Sequence, residues 1–544
     1  MRRFSLVLLL AACGDDGSHS HPSDALGDGS NQPPDDGAVS SCDPPGKYGV
    51  PENVFDLPRP TGDGIYYQDV QASFPNVDWQ TLDRLYLPAG TWKNFYLGNL
   101  PTRSADRPLV ITNKGGQFLV GFNPTGNYIW SMGGGSNWIL TGRYDEVSKT
   151  GDAAFPGHAC GNYADSPGKY GIMSDDDYAF DAPYLHMGIA IGGGATDFEI
   201  EFVEVTRSGF AGIRLLNDQT KDLPMSNVRV HDTYIHDTAG EGVYFGWTGT
   251  PPSNRFDGLQ FYNNRILRAG NEVLQVQDLG DGSHIHHNTF ISGGTHWLDN
   301  GLGRYQDSNS QVLVREGMIE VDHNVFIDGA GTLLSFFSSP QTGDGDRHVN
   351  FHDNYFSDAI SLPMFLNGTS AAGSSFTFDR NVFRNIDFAY TPVDPAATDP
   401  NVLCGKNGSF QAPITFSNNS WTGTDRIVAG INGGDGSSGN ITLIGNVNED
   451  AGAIELLDGP WSSGGHHLTA WVATATVPDP DRTVTYRVGD IVTHGSVPTL
   501  YRATAESTGG AAPPDAASAW TALPRPNDDV RVKPGTKYAD LGVR

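Results

Sequence analysis

The chain has 544 residues, a formal net charge of −29, and only 18% charged residues against 38% hydrophobic ones. That is material for a large core or several domains. The acidic balance argues against nucleic acid and anionic membranes as partners, and it makes a polyanionic substrate less comfortable.

The chain opens Met1-Arg2-Arg3 and continues apolar from Phe4 to Ala12. A basic start and a short apolar run have the form of an export signal, too short to span a bilayer. Leu10-Ala11-Ala12-Cys13 resembles the bacterial lipobox. The resemblance implies a signal segment over residues 1–13 and lipid on the Cys13 thiol. It implies an exported protein tied to a membrane through that lipid alone; inner against outer membrane stays open here, with the outer membrane or cell surface the expected place. Residues 14–45 are Gly, Asp, Ser and Pro with almost no large apolar side chain. Such a segment reads as a solvated acidic tether. Cys42, Cys160 and Cys404 remain. One disulfide among them is open, its connectivity is not readable, and no cysteine spacing is of metal type.

A short phrase then recurs: Thr233-Tyr234-Ile235, Asn264-Arg265-Ile266, Asn288-Thr289-Phe290, Asn324-Val325-Phe326, Asn354-Tyr355-Phe356, Asn381-Val382-Phe383 and Asn419-Ser420-Trp421, with an echo at Asn446. A Gly or Asp turn usually follows, then a second apolar run such as Ala211 to Leu216 or Val273 to Val276. The uneven spacing suits coils with constant strands and variable turns. Stacked coils bury a continuous core that no single coil can cover. A stacked Asn can bond the amides above and below it as a ladder. These repeats resemble those of the right-handed parallel β-helix superfamily of pectate lyases and polygalacturonases. The resemblance implies an all-β solenoid over residues 60–460, with an N-terminal cap from about Ile65 to Leu82. It also implies that the Asn, His and Asp of the repeat, His287, His323 and His352 included, are structural.

Past residue 484 the pattern changes. Tyr486-Arg-Val-Gly-Asp490-Ile-Val492, then Tyr501-Arg-Ala503, Gly509, Pro513 and Trp520 resemble the small type-3 chitin-binding module, over residues 484–523. Tyr486, Tyr501 and Trp520 are the candidate sugar-stacking residues. Thr504 to Thr508 lacks an aromatic of that family. Residues 528–544 resemble a closing β-helix segment, so the module reads as an insertion.

Alternation along the strands points Arg214, Tyr244, Gln275 and Gln277 outward, with Arg315 extending the row. The interval from His296 to Glu316 reads as a cleft wall carrying His296, Trp297, Arg304 and Tyr305. Glu241, Asp278, Asp299 and Glu316 form the catalytic shortlist. Hydrolysis needs two carboxyl groups roughly 5 to 10 Å apart. Elimination needs a base and cations for a uronate. Residues 185–460 hold only Lys221 and Lys406, and the polygalacturonase motifs are absent. The expected activity is therefore hydrolysis of a neutral or chitin-like polysaccharide. A polysaccharide lyase and a non-catalytic adhesin are the alternatives. The expected partner is a polysaccharide, bound by a monomer. No cofactor is assigned; Ca²⁺ at Asp175-Asp176-Asp177 is left open.

Overall fold

The computed structural model describes residues 47 to 544 except 60–64, 68, 122–123, 125–127, 143–153, 156–166, 177–185, 219–220, 222, 248–253, 296–307, 330–331, 339–343, 360–361, 369–372, 387–402, 407–409, 411, 423, 425–426, 431–438, 459–466, 471–484, 487, 495–498, 509–511, 514–518 and 525–526. Cys13, the 14–45 segment, Cys42 and Cys160 lie outside these residues. Cys404 is buried and free. Among the described residues, no helix is long and apolar enough to cross a membrane.

Each coil contributes three strands, and successive coils pair in parallel. Face one holds Ala211–Leu215, Glu241–Phe245, Leu274–Leu279, Ser310–Val314, Leu334–Ser338 and Met364–Gly368. Face two holds Thr196–Glu201, Arg229–His231, Gln260–Tyr262, Ser283–His286, Gly317–Asp322, Arg347–His352 and Ser375–Asp379. Face three holds Val203–Thr206, Tyr234–Thr238, Arg265–Ala269, Thr289–Gly293, Val325–Gly329 and Tyr355–Ala359. The fold is a parallel β-helix. Its one helix among the described residues, Val70–Ser73, is capped by Asp69 and sends Val70 into the core.

Inward positions alternate with outward ones, and the inward set repeats from coil to coil. Phe290, Phe326, Phe356 and Phe383 therefore stack at 5.0, 4.6 and 4.9 Å. Offset aromatic pairs of this kind add about 0.5–1.5 kcal/mol each beyond their burial.

The recurrent Asn forms the expected ladder. Asn264, Asn288, Asn324, Asn354, Asn381 and Asn419 each donate Nδ2 to Oδ1 of the next, ending on Asn446, at 3.0–3.1 Å. The backbone N–H of each donates to the same Oδ1. Thr233 heads the ladder by donating Oγ1 to Asn264 at 2.8 Å. The residue before each ladder position turns the corner from face two to face three with φ near +52°: Asp232, Asn263, His287, His323, Asp353, Arg380 and Asn418. Such a corner favours Asn and Asp, which tolerate the left-handed region.

A second left-handed column runs through Arg207, Asp237, Arg268, Ser292, Asp328, Asp358 and Asn385, four places on from each ladder level. Its members pair along the stack: Arg268 with Asp237 at 2.7 Å, Ser292 with Asp328 at 2.7 Å, and Asn385 with Asp358 at 2.8 Å.

The C-terminal segment returns to the solenoid, but it adds no parallel rung. Leu456 pairs antiparallel with Val532. Val530, Val532, Tyr538, Leu541 and Val543 cover Tyr234, Leu267, Ile291, Val325 and Tyr355 on the outside of face three. That face carries apolar side chains outward as well as inward, so a cover suits it better than another rung. The fully buried Asp528 accepts from Arg268 at 2.9 and 2.7 Å and from the Tyr234 hydroxyl. Before this segment, Ile491–His494, Thr499–Ala503 and Trp520–Ala522 form an antiparallel sheet, joined by His467–Ala470.

Candidate functional site

The outward side chains of face one fall into one register-matched row. Arg214 lies beside Tyr244, then Gln275, Gln311, Ser335 and Phe365. In the other direction the row runs through Ala190, Ser131 and Tyr96. The neighbours Ile213, Leu215, Val243, Phe245, Leu274 and Val276 all enter the core. Arg214, Tyr244 and Gln275 thus share one line. Gln277 is drawn to it by a 2.8 Å bond to Gln311. Phe210 packs on Tyr244 at 5.4 Å, and Phe337 on Phe365 at 6.4 Å. Burial pulls the Arg214 guanidinium below its ordinary value, against the opposing effect of Tyr128 and Tyr244. Gln275 is only 2% exposed, yet its Oε1 accepts no hydrogen bond from the described residues.

The shortlisted carboxyl groups are spread out. Glu241 opens its strand at the face-three corner, level with Ala211. Burial raises its carboxyl to about 7, against a 3.2 Å bond from Asn271, and its Oε2 has no partner among the described residues. Asp278 lies at the far end of the neighbouring strand and accepts from Trp247 N–H at 3.3 Å. The strand register sets Glu241 level with Glu272, six residues before Asp278. At about 3.3 Å per residue, Glu241 and Asp278 stand roughly 20 Å apart, too far to act as a pair. Glu316 is tied to Arg255 at 2.7 Å and to Gly345 N–H at 2.7 Å. Arg315 leaves the row for a forked ion pair with Asp344 at 3.0 and 2.6 Å. His296, Trp297, Asp299, Arg304 and Tyr305 lie outside the described residues.

In the C-terminal sheet, Tyr486 and Trp520 are buried edge-to-face at 5.2 Å and form the core of that unit. Neither offers a ring face to a sugar; Tyr501 is half-exposed. Asp175 and Asp176, once candidates for Ca²⁺, are engaged by Arg207 at 2.7 Å and His186 at 2.9 Å. Asp177 lies outside the described residues.

Face two presents a second polar surface that reading the sequence did not single out. One outward row runs Glu199, Arg229, Gln260, His284, Glu320, Asn350. The next runs Glu201, His231, Tyr262, His286, Asp322, His352. A cavity of about 310 Å³ opens here, lined in part by Pro108, Asn137, Asp197, Glu199 and Arg229. Glu199, Glu201 and His231 converge as metal ligands do. The Lys47 ammonium fills that point, 2.5 Å from Glu199 and 2.6 Å from Glu201. Burial opposes a charge on His231, but Asp232 and Glu199 outweigh it and raise the imidazole to about 10. With Arg229 on Glu199 at 2.6 Å, three cations balance three carboxylates. This is a closed ion-pair cluster that fastens the segment at Lys47. A sequence signal for both rows exists: they stand four and two places before each ladder residue.

No protein-family model and no curated protein matches the chain. Among solved structures, it is similar to the GH136 lacto-N-biosidase from Eubacterium ramulus, at 8% identity and a TM-score of 0.39, over 68% of this chain and 61% of that one. The chain therefore spans less than two thirds of that enzyme. It is similar to pectate lyase Pel9A at 10% identity and a TM-score of 0.35, over 71% of this chain and 77% of that one. It is also similar to the catalytic unit of the GH87 alpha-1,3-glucanase from Streptomyces thermodiastaticus strain HF3-3, at 13% identity and a TM-score of 0.35, over 76% and 71%. At these identities and TM-scores the likeness carries nothing about activity.

Proposed function

We propose that the outward row of face one is a glycan groove, and that the protein hydrolyses O-glycosyl bonds of a neutral or chitin-like polysaccharide bound there. We further propose that it is exported and held at the membrane or cell surface through lipid on Cys13, with residues 484–523 as a small carbohydrate-binding unit. Gln275 carries the reading. It is a buried amide on an outward row whose carbonyl oxygen has no partner among the described residues, and a buried orphan acceptor is costly unless a ligand meets it. Along the row, the half-buried Tyr96 and Phe365 supply ring surface and the half-buried Gln311 a neutral hydrogen-bonding group, as sugar sites require, while Tyr244, Gln277 and Ser335 are buried. Arg214 is the one charge on the described row, which suits a neutral chain better than a uronate.

Glu241 is the proposed proton donor, since a carboxyl raised to about 7 holds its proton near neutral pH. One observation favours the adhesin reading. The described row itself carries no carboxylate, so a second acid would come from elsewhere, Asp299 being the remaining shortlisted residue. Incubation of the purified full chain with chitin and a panel of neutral glucans tests this. The hydrolase reading expects new reducing ends, lost in Glu241→Gln while binding survives, and weaker binding in Gln275→Ala. Binding without cleavage would leave an adhesin. An ultraviolet-absorbing unsaturated product would mean a lyase. Unchanged binding in Gln275→Ala would refute the groove.

A further inference from the structure

Carboxylates are plentiful on this chain, which holds 63 acidic residues against 34 basic ones. Arg229, Arg255, Arg268 and Arg315 each close on one at 2.6–2.7 Å. Arg214 is different. It stands half-buried on the outward row of face one, and no described residue gives it an ion pair or a hydrogen bond. Among the described residues, only the Tyr128 and Tyr244 rings act on its charge, and burial outweighs them, pulling the guanidinium below its ordinary value.

The row itself accounts for the missing partner. From Tyr96 to Phe365 it carries no carboxylate. Glu241 opens the neighbouring strand three places before Tyr244, roughly 10 Å away along it at about 3.3 Å per residue. On the other side the two adjoining rungs present Ala190 and Ser131. These short side chains leave room beside the guanidinium. A charge taken partly out of water and left unpaired costs the fold free energy, and an apolar side chain of the same length would fill the place at lower cost. Its counterpart is therefore an anion that arrives with a ligand.

We propose that Arg214 is a single-anion subsite of the groove, which reads one acidic substituent, a carboxylate or a sulfate or phosphate ester, on an otherwise neutral glycan. The inference rests on the glycan-groove reading and names what that ligand carries. Two parallel N–H donors of a guanidinium match two oxygens of such a group. Rungs follow at about 4.8 Å, close to the length of one sugar ring. A chain laid along the row sets its acidic sugar on the Arg214 rung and neutral sugars over Gln275 and Gln311, two and three rungs further on. A polyuronate puts a charge on every sugar. One cation answers one of them, and a chain of net charge −29 repels the rest.

The test is binding of the purified full chain to immobilised oligosaccharides in matched sets. Each set holds a neutral cello- or chito-oligosaccharide and the same chain with one carboxylate, one sulfate or one phosphate; oligogalacturonates form a separate arm. Wild type is expected to hold one singly acidic class about 10- to 100-fold tighter than its neutral match, and the class that gains tells carboxylate from ester. Arg214→Met should erase that preference. Arg214→Lys should keep part of it, having the charge without the fork. Since the guanidinium has no described partner to lose, Arg214→Met should melt at or above the wild-type temperature. A lower melting temperature overturns the proposal, as does wild type that binds no acidic match or holds acidic and neutral matches alike. A preference that survives in Arg214→Met, or tightest binding to oligogalacturonate, overturns it too. The groove reading fails separately, when Gln275→Ala leaves binding to the neutral matches unchanged.

Discussion

Asn324→Ala removes four side-chain hydrogen bonds from the middle of the ladder. Asn324 donates Nδ2 to Ile285 O at 2.9 Å and to Asn354 Oδ1 at 3.0 Å, and accepts from Asn288 N and Nδ2 at 3.0 Å each. All these groups are buried, so water does not replace the lost partners. At about 1 kcal/mol per bond the variant loses about 4 kcal/mol, with the orphaned Asn288 N–H adding to that. Asn446 ends the ladder half-buried and makes three such bonds, two from Asn419 and one to Phe416 O at 2.8 Å. Solvent can substitute there, and Asn446→Ala is expected to cost about 1 kcal/mol. Urea unfolding of the full chain, followed by tryptophan fluorescence, compares the two midpoints. Equal shifts for the two variants, or a loss below about 1 kcal/mol for Asn324→Ala, would refute the ladder as a source of stability.

Arg268 sits buried between Asp237 and Asp528, all three ionised, with both carboxyls held below the ordinary range despite burial. Depressed carboxyls stabilise above their unfolded pKa near 4, and that stability is lost as pH falls through their folded values. Arg268→Met leaves two facing carboxylates and should cost about 3–5 kcal/mol at pH 7; melting curves should show the deficit shrinking toward pH 4. Glu241 behaves oppositely. Its folded carboxyl is raised from 4.5 to about 7, so stability falls as pH rises across that window and levels off above it, a total of about 3 kcal/mol. Glu241→Gln should therefore raise the melting temperature at pH 8 and leave it unchanged at pH 4; a loss at pH 8 would contradict the burial argument. Removing residues 528–544 should expose Tyr234, Leu267, Ile291 and Val325, seen as dye binding to apolar surface and rapid proteolysis at face three.

The solenoid was legible because its signal is repeated. One Asn phrase would say little, but seven at the same point of a coil fix the corner, the strand after it, and the inward side of each run. The apolar runs beginning at Ala211 and Val273 accordingly fall in or beside face-one strands. Single-copy features were harder. Nothing in Val530-Arg531-Val532 distinguishes a last rung from an external cover; that depends on face three being apolar on both sides, as Leu267, Ile291 and Val325 show. Tyr486 and Trp520 fit a sugar-binding pattern as sequence, yet a unit this small needs its large rings for its own core.

The site divides along the same line. Arg214, Tyr244 and Gln275 could be placed in one row because alternation is local and each flanking residue is apolar. The carboxylates could not, because they sit at strand ends and turns, where coil length varies and a register argument fails. Glu316 and Arg315 show the consequence: adjacent in sequence to the face-one strand, they are taken up by Arg255 and Asp344 at the corner. Face two was overlooked for a different reason. Its histidines were read as part of the repeat, and those in the left-handed corner, His287 and His323, do stand in its left-handed column. His284, His286 and His352 sit instead at the two outward positions before each ladder residue, where the core imposes no demand beyond polarity. On an outward row the fold tolerates many residue types, and the neighbouring levels hold Gln260, Asn350 and Thr377. The imidazoles and carboxylates at these levels pair with one another, His284 with Asp322 and His352 with Asp353, which an outward polar row permits at any level.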